Sequence, residues 1–240
     1  MPAKVAVCHS RKGGVGKSFL AYELAYLLGA VLVDLEHDGG GVTTKWGYRP
    51  QDHPRSRLLD ALEPGAASPR PMRGFKKPNL VPGHPDLYDQ QPDATTMADA
   101  LTKWAHEWGT DWIVVDTHPG ASPAAHGALA VANIVLTPTA LRTAELDATA
   151  ELVNEIPDYP LVVVPNFVPT TPPAAEISRL RSIIEGTPVQ VAPPIPSALH
   201  VGTRKKRIAI TAETPPAKSL QKVASALTDL STFVKGYVHG

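Results

Sequence analysis

The stretch Lys12-Gly13-Gly14-Val15-Gly16-Lys17-Ser18 sets three glycines, two lysines and a hydroxyl between an apolar run and a helix-like run. Glycines at this spacing let successive backbone N–H groups curl around phosphate oxygens, and the N-terminus of the following helix adds its positive dipole. The implied chemistry is anion binding. Lys17 is placed to bridge β- and γ-phosphates, and Ser18 to give its hydroxyl to Mg²⁺, the hard cation that nucleotide phosphates bring with them. The general phosphate-binding loop opens on a glycine, and that position falls here on Ser10 or Arg11. A second lysine, Lys12, stands inside the loop instead.

Such a loop works only where a strand ends and a helix begins. Short β-branched runs predict strands at Lys4–His9, Ala30–Asp34, Asn79–Pro82, Trp112–Asp116, Asn133–Pro138, Leu161–Pro165 and Val189–Ala192. Helices are predicted at Lys17–Leu28, Thr95–Trp108, Thr143–Asn154, Ala174–Glu185 and Ala217–Val234. Strands apolar on both faces, alternating with helices, imply an α/β fold with a mostly parallel central sheet flanked by helices on both faces. Arg49 to Pro92, rich in Pro, Gly, Arg and His, reads as long loops with one helix near Arg57–Leu62, and Pro165–Pro173 as a loop leaving a strand's carboxyl end.

Composition narrows the reading further. The 240 residues fit one domain spanning the chain, and 25 prolines are roughly twice the average usage of about 5%. Lys+Arg and Asp+Glu both number 23, which excludes a uniformly basic nucleic-acid coat but leaves room for a local patch. The single cysteine, Cys8, excludes an intrachain disulfide and fits a reducing cytoplasm. Apolar runs such as Ile113–Val115 fall far short of the roughly 20 residues needed to span a bilayer.

With Lys12 inside it, the loop resembles the deviant Walker A motif of the ParA/MinD group of P-loop ATPases. Three later stretches fall in that group's order. In Val31–Gly40, Asp34 matches the first aspartate of the usual VDLDPQG, and Glu36 stands where a second aspartate orients the attacking water. Asp38, where glutamine is usual, either helps position water or caps the next turn. Trp112–Gly120 matches the Walker B form DTPPG, with Asp116 holding Mg²⁺. His118 replaces a proline there and reads as a loop residue, since no second histidine lies at zinc-ligand spacing. Asn166 either contacts adenine or stabilises its own turn, and the Pro193–Pro196 loop, with Ile195, would cover the base. Phe19 stands where a second threonine is common, leaving its backbone N–H for the α-phosphate.

The resemblance implies a Mg²⁺-dependent ATPase whose ATP-bound homodimer sandwiches the nucleotides, with Lys12 reaching across to the partner's phosphates. The site residues it implies are Lys12, Lys17, Asp34 and Glu36 for catalysis, Gly13, Gly14, Val15, Gly16, Lys17, Ser18, Phe19, Asn166, Pro193 and Ile195 for the nucleotide, and Ser18 and Asp116 for the metal. The short segment ahead of the P-loop leaves no room for the helix-turn-helix domain of larger ParA proteins, which points to small plasmid or chromosome partition proteins. Those bind nonspecific double-stranded DNA on the nucleoid and answer to a centromere-binding, ParB-like adaptor. Between His200 and Lys222 six cations, Arg204, Lys205, Lys206, Arg207, Lys218 and Lys222, face one acid, Glu213, and form the candidate DNA patch. The alternative is a MinD-like ATPase held on a membrane or scaffold. Its lipid-binding C-terminal helix is not expected here, because Leu220, Val223, Leu227 and Leu230 make a stripe suited to core packing.

Overall fold

The computed structural model describes residues 2–39, 41–53 and 55–239; Gly40, which closes the second motif stretch, lies outside them. Among these residues seven strands form one sheet: β1 (Lys4–Cys8), β2 (Val31–Asp34), β3 (Asn79–Val81), β4 (Trp112–Asp116), β5 (Ile134–Thr139), β6 (Leu161–Pro165) and β7 (Gln190–Val191). Their order is β3-β2-β4-β1-β5-β6-β7, and every neighbouring pair is parallel. Because β1 lies between β4 and β5, the chain switches sides of the sheet at the carboxyl end of β1. Open parallel sheets bind ligands at that kind of place.

Alternation along each strand divides the core between two faces. Val5 and Val7 of β1 join Ile113 and Val115 of β4 on one face, beneath α4 (Ala94–Trp108), α5 (Pro123–Ala130), α6 (Thr143–Glu155) and α7 (Ala174–Ile184). Ala6, Cys8 and Val114 point the other way, against α1 (Lys17–Leu28) and α9 (Gln221–His239). Val223, Leu227, Leu230 and Val234 of α9 are all buried there. Full burial of each such side chain contributes about 1.5–3 kcal/mol, so the apolar stripe of α9 is committed to the sheet and not to a lipid surface.

The structure departs from the sequence reading mainly in short helices. It adds α2 (Val42–Trp46), α5 and α8 (Leu199–Thr203), and the helix near Arg57 is one turn, α3 (Arg57–Asp60). The sequence does carry a start signal for α5, which reasoning from periodicity passed over. Ser122 accepts a hydrogen bond from the Ala125 N–H at 3.2 Å, and Pro123 occupies the first helical position. The last helix begins after a 3-10 turn at Lys218–Leu220 and runs on to His239. No helix among the described residues is long and apolar enough to cross a membrane.

Candidate active site

The glycine-rich loop leaves the buried end of β1 and is pinned at both ends. Thr117 Oγ1 donates to the Cys8 carbonyl at 3.1 Å and lies 2.9 Å from His9 Nδ1. One hydroxyl has one proton, so Nδ1 of His9 must be the donor in that second contact. Burial, and next the charge of Lys17, pull His9 down to about 4, which keeps the ring neutral, with its one proton on Nδ1. Thr137 Oγ1 donates to the His9 carbonyl at 3.0 Å, and the Gly120 N–H to the Ser10 carbonyl at 3.0 Å. At the far end Asn166 Nδ2 donates to the Val15 carbonyl at 2.8 Å. Gly16 beside it has φ +97°, and a Cβ there would run into the Asn166 amide nitrogen. Both backbone angle and space therefore demand glycine.

Asn166 is fully buried and its Oδ1 has no hydrogen-bond partner among the described residues, so in this geometry it braces the loop. Asn166→Ala is expected to lower stability by about 1–2 kcal/mol and to weaken binding of a nucleoside triphosphate several-fold. Thermal unfolding and calorimetric titration measure the two effects. Unchanged affinity would show that the loop holds its shape without the brace.

Strand register brings the acidic residues together. Asp34 ends β2 and pairs in register with Asp116 at the end of β4, and Asp116 pairs with Cys8 at the end of β1. Asp34 accepts from the backbone N–H groups of Glu36 at 3.0 Å and Thr43 at 2.8 Å. Burial nevertheless raises its pKa above the ordinary carboxylate range. Asp116 is fully buried, and neither of its carboxylate oxygens has a partner among the described residues. Burial first, then the charge of Asp34, push it well up, while the charge of Lys17 pulls the other way. An orphaned buried carboxylate beside a P-loop serine is the donor set a Mg²⁺ ion takes, so the residues present fit that cation.

Lys17 is 5% exposed, with Nζ 3.3 Å from Glu36 Oε1, and Glu36 Oε2 lies 3.0 Å from His118 Nδ1. Lys17 at the start of α1 and Glu36 and His118 on the loops after β2 and β4 thus form a chain of contacts. Lys12, by contrast, lies 41% exposed on the surface with Nζ 3.2 Å from Glu145 of α6, beside Arg11, which pairs with Glu151 and Glu155. Sequence reasoning missed His37, whose ring stacks on that of His118 with centroids 4.0 Å apart.

Other expected site residues are placed as follows. The Phe19 ring lies in the core beneath the Lys45 ammonium, 4.6 Å from its centroid. Lys45, also missed, is pulled down to about 8 by burial, with Glu23 opposing. Ile195 is buried, and its backbone clips the Pro193–Pro196 loop to Pro165 and Val168 at 2.8 and 3.0 Å. Its side chain therefore faces the core, leaving half-buried Pro193 nearer the surface. The expectation of four outward cations is corrected at Arg204. Its guanidinium is 10% exposed and donates to Glu213 at 2.6 Å and to the carbonyls of Lys206 and Ile208. Lys205, Lys206 and Arg207 remain exposed.

No protein-family model matches the chain. The chromosome-partitioning ATPase Soj of Thermus thermophilus is 32% identical over 148 residues, covering 60% of this chain and 57% of the relative. The chain thus spans little more than half of that relative's length. A plasmid partition protein of Borrelia burgdorferi bound to AMPPNP superposes with a TM-score of 0.75 at 16% identity, over 98% of this chain and 99% of that one. The MinD cell division protein of Aquifex aeolicus gives 0.74 at 18%, over 98% and 97%. Those two likenesses speak for the fold, and the partial likeness to Soj agrees with the motif order. With its lysine-bearing P-loop at the switch point of an all-parallel seven-stranded sheet, the chain shares the fold of these proteins and resembles the ParA/MinD group in the order of its motifs.

Proposed function

We propose that the chain is a Mg²⁺-dependent ATPase of DNA partition, whose ATP-bound homodimer binds nonspecific double-stranded DNA and is stimulated by a ParB-like adaptor. The observation that carries this reading is the Lys17–Glu36–His118 chain of contacts beside the orphaned carboxylate of Asp116. A lysine, a water-positioning carboxylate and a metal-ready carboxylate around one loop are the parts phosphoryl transfer to water requires. Magnesium, held by Ser18 and Asp116, would supply charge neutralisation at the phosphate oxygens.

The chain's own residues supply the rest. In the free chain Lys17 and Glu36 satisfy one another. Phosphate takes Lys17, which frees Glu36 Oε1 for the attacking water while Oε2 stays on His118. Glu36 then orients the water and accepts its proton. Lys12 of the partner subunit would add positive charge where it develops in the transition state. A nucleoid location in the cytoplasm follows from the DNA-bound dimer. The apolar stripe of α9 does not favour the MinD-like alternative, since its side chains are buried in the core and not offered to a lipid surface.

DNA retardation by fluorescence anisotropy, with and without ATP and across a salt series, tests the proposal. Binding is expected only with ATP. Lys205→Ala with Lys206→Ala should lower the salt slope by about 2 and weaken binding about tenfold or more. Arg204→Ala should chiefly lower thermal stability, since it breaks the Glu213 pair. Binding that ignores ATP, or an unchanged slope in the double variant, would sink this part of the reading.

A further inference from the structure

We propose that His37, Asp38 and His118 form a binding site for a divalent transition-metal ion at the mouth of the phosphate site, separate from the all-oxygen magnesium position at Ser18 and Asp116. His37 and Asp38 lie on the loop after β2, and His118 on the loop after β4; these strands are neighbours, so their carboxyl-end loops face one another. The three side chains bring two imidazole nitrogens and a carboxylate oxygen within 4.8 Å of one another. Asp38 spans the two rings, with Oδ1 3.0 Å from His37 Nδ1 and Oδ2 3.8 Å from His118 Nδ1.

These separations bracket the donor spacing a metal needs. A tetrahedral ion with bonds to nitrogen of about 2.0–2.1 Å holds its donors about 3.3 Å apart. The rings now stack at an interplanar angle of 21°, so a modest tilt of both is needed to aim their lone pairs at one point. Tyr88 packs edge-on against His37 with ring centroids 5.3 Å apart. Exposure is graded as in a site with an open coordination position: 8% for His37, 24% for His118 and 66% for Asp38. Glu36 Oε2, 3.0 Å from His118 Nδ1, is the nearest further carboxylate.

The donor types select the ion. Two imidazoles with one carboxylate suit Zn²⁺, Co²⁺ or Ni²⁺, whereas Mg²⁺ and Ca²⁺ prefer oxygen donors. All three residues also stand where the resemblance leads one to expect other types: proline at 37, glutamine at 38 and proline at 118. A bound ion would tie the loop carrying Glu36 to the loop following Asp116.

The site shares His118 with the Glu36 contact of the nucleotide reading, and it is tested on the nucleotide-free chain so that its failure and the failure of that reading are distinguishable. Titration with Zn²⁺ by calorimetry, and with Co²⁺ by its visible absorption, is expected to show one high-affinity ion per chain, with Mg²⁺ failing to displace it. His37→Gln, His118→Gln and the shape-preserving Asp38→Asn should each weaken binding about tenfold or more. Zn²⁺ should raise the melting temperature of the wild type and not of the double histidine variant, with circular dichroism confirming that each variant folds. Equal affinity in the wild type and the double variant, or displacement by equimolar Mg²⁺, would overturn the assignment.

Discussion

Asp116→Asn is expected to stabilise the nucleotide-free chain and to stop its turnover of ATP, opposite effects of one substitution. The carboxylate is fully buried, lies in register with Asp34 and has no hydrogen-bond partner among the described residues. Its pKa in the folded chain is raised by burial and by Asp34. Between the ordinary carboxylate range and that raised value the folded chain binds more protons than the unfolded one, so stability falls as pH rises through the window. An amide carries no charge to bury. Its own two donors need acceptors and offset part of the gain, leaving a net effect on the order of 2 kcal/mol at neutral pH.

The comparison belongs between about pH 7 and 9. Below about pH 6.5 the depressed pKa of His9, about 4, adds the opposite slope, because there the unfolded chain binds the extra proton. Turnover should drop about 10³-fold or more, because a metal-held charge supplies several kcal/mol and each 1.36 kcal/mol is about tenfold. Thermal unfolding and phosphate release measure the two effects. An asparagine variant that melts below the wild type throughout that range would show that Asp116 stabilises the free fold, contrary to its orphaned geometry.

The same geometry makes binding of the magnesium complex release a proton. With the Asp116 pKa raised in the free chain, affinity for Mg²⁺-ATP should rise with pH beyond the range of an ordinary carboxylate. Proton release, read by calorimetry in buffers of different ionisation enthalpy, is the measurement. Its absence would mean that Asp116 is ionised before the cation arrives.

Local physics made much of this arrangement readable from the chain. The runs Trp112–Asp116 and Leu161–Pro165 are apolar on both sides because helices cover both faces, and both form strands at the expected residues. The P-loop announces itself because Gly16 has no substitute where the backbone turns at φ +97° against Asn166. What stayed hidden depends on which strands become neighbours. His118 seemed isolated by spacing, yet β2 and β4 pair directly and set it against Glu36 and His37. The run Arg204–Arg207 reads as one outward patch, but the lone acid Glu213 draws the first guanidinium inward. α5 lacks polar and apolar alternation because its small residues pack closely: a Cβ on Gly127 would meet the Ala94 carbonyl at 2.4 Å.

Lys12→Ala is expected to lower ATP hydrolysis about 10³-fold or more while changing nucleotide affinity of the single chain far less. In the free chain Lys12 rests on Glu145 at 3.2 Å, 41% exposed. A surface pair of this kind contributes about 0–1 kcal/mol, so little holds the lysine back from another anion. Its own nucleotide already has Lys17, which is buried at the base of the loop. If Lys12 serves the opposite subunit, the defect can be repaired by mixing. Glu36→Gln should itself reduce hydrolysis about 10²–10⁴-fold, since under the proposed mechanism it removes the group that would orient water and accept its proton. In a mixed dimer the Lys12→Ala chain keeps its own Glu36 and receives Lys12 from the Glu36→Gln chain, which completes one of two sites. Equal mixing of two nearly inactive proteins, with random pairing of identical interfaces, should then recover about a quarter of the wild-type rate. A lysine acting on its own chain's nucleotide leaves both sites of every mixed dimer defective, and no activity returns.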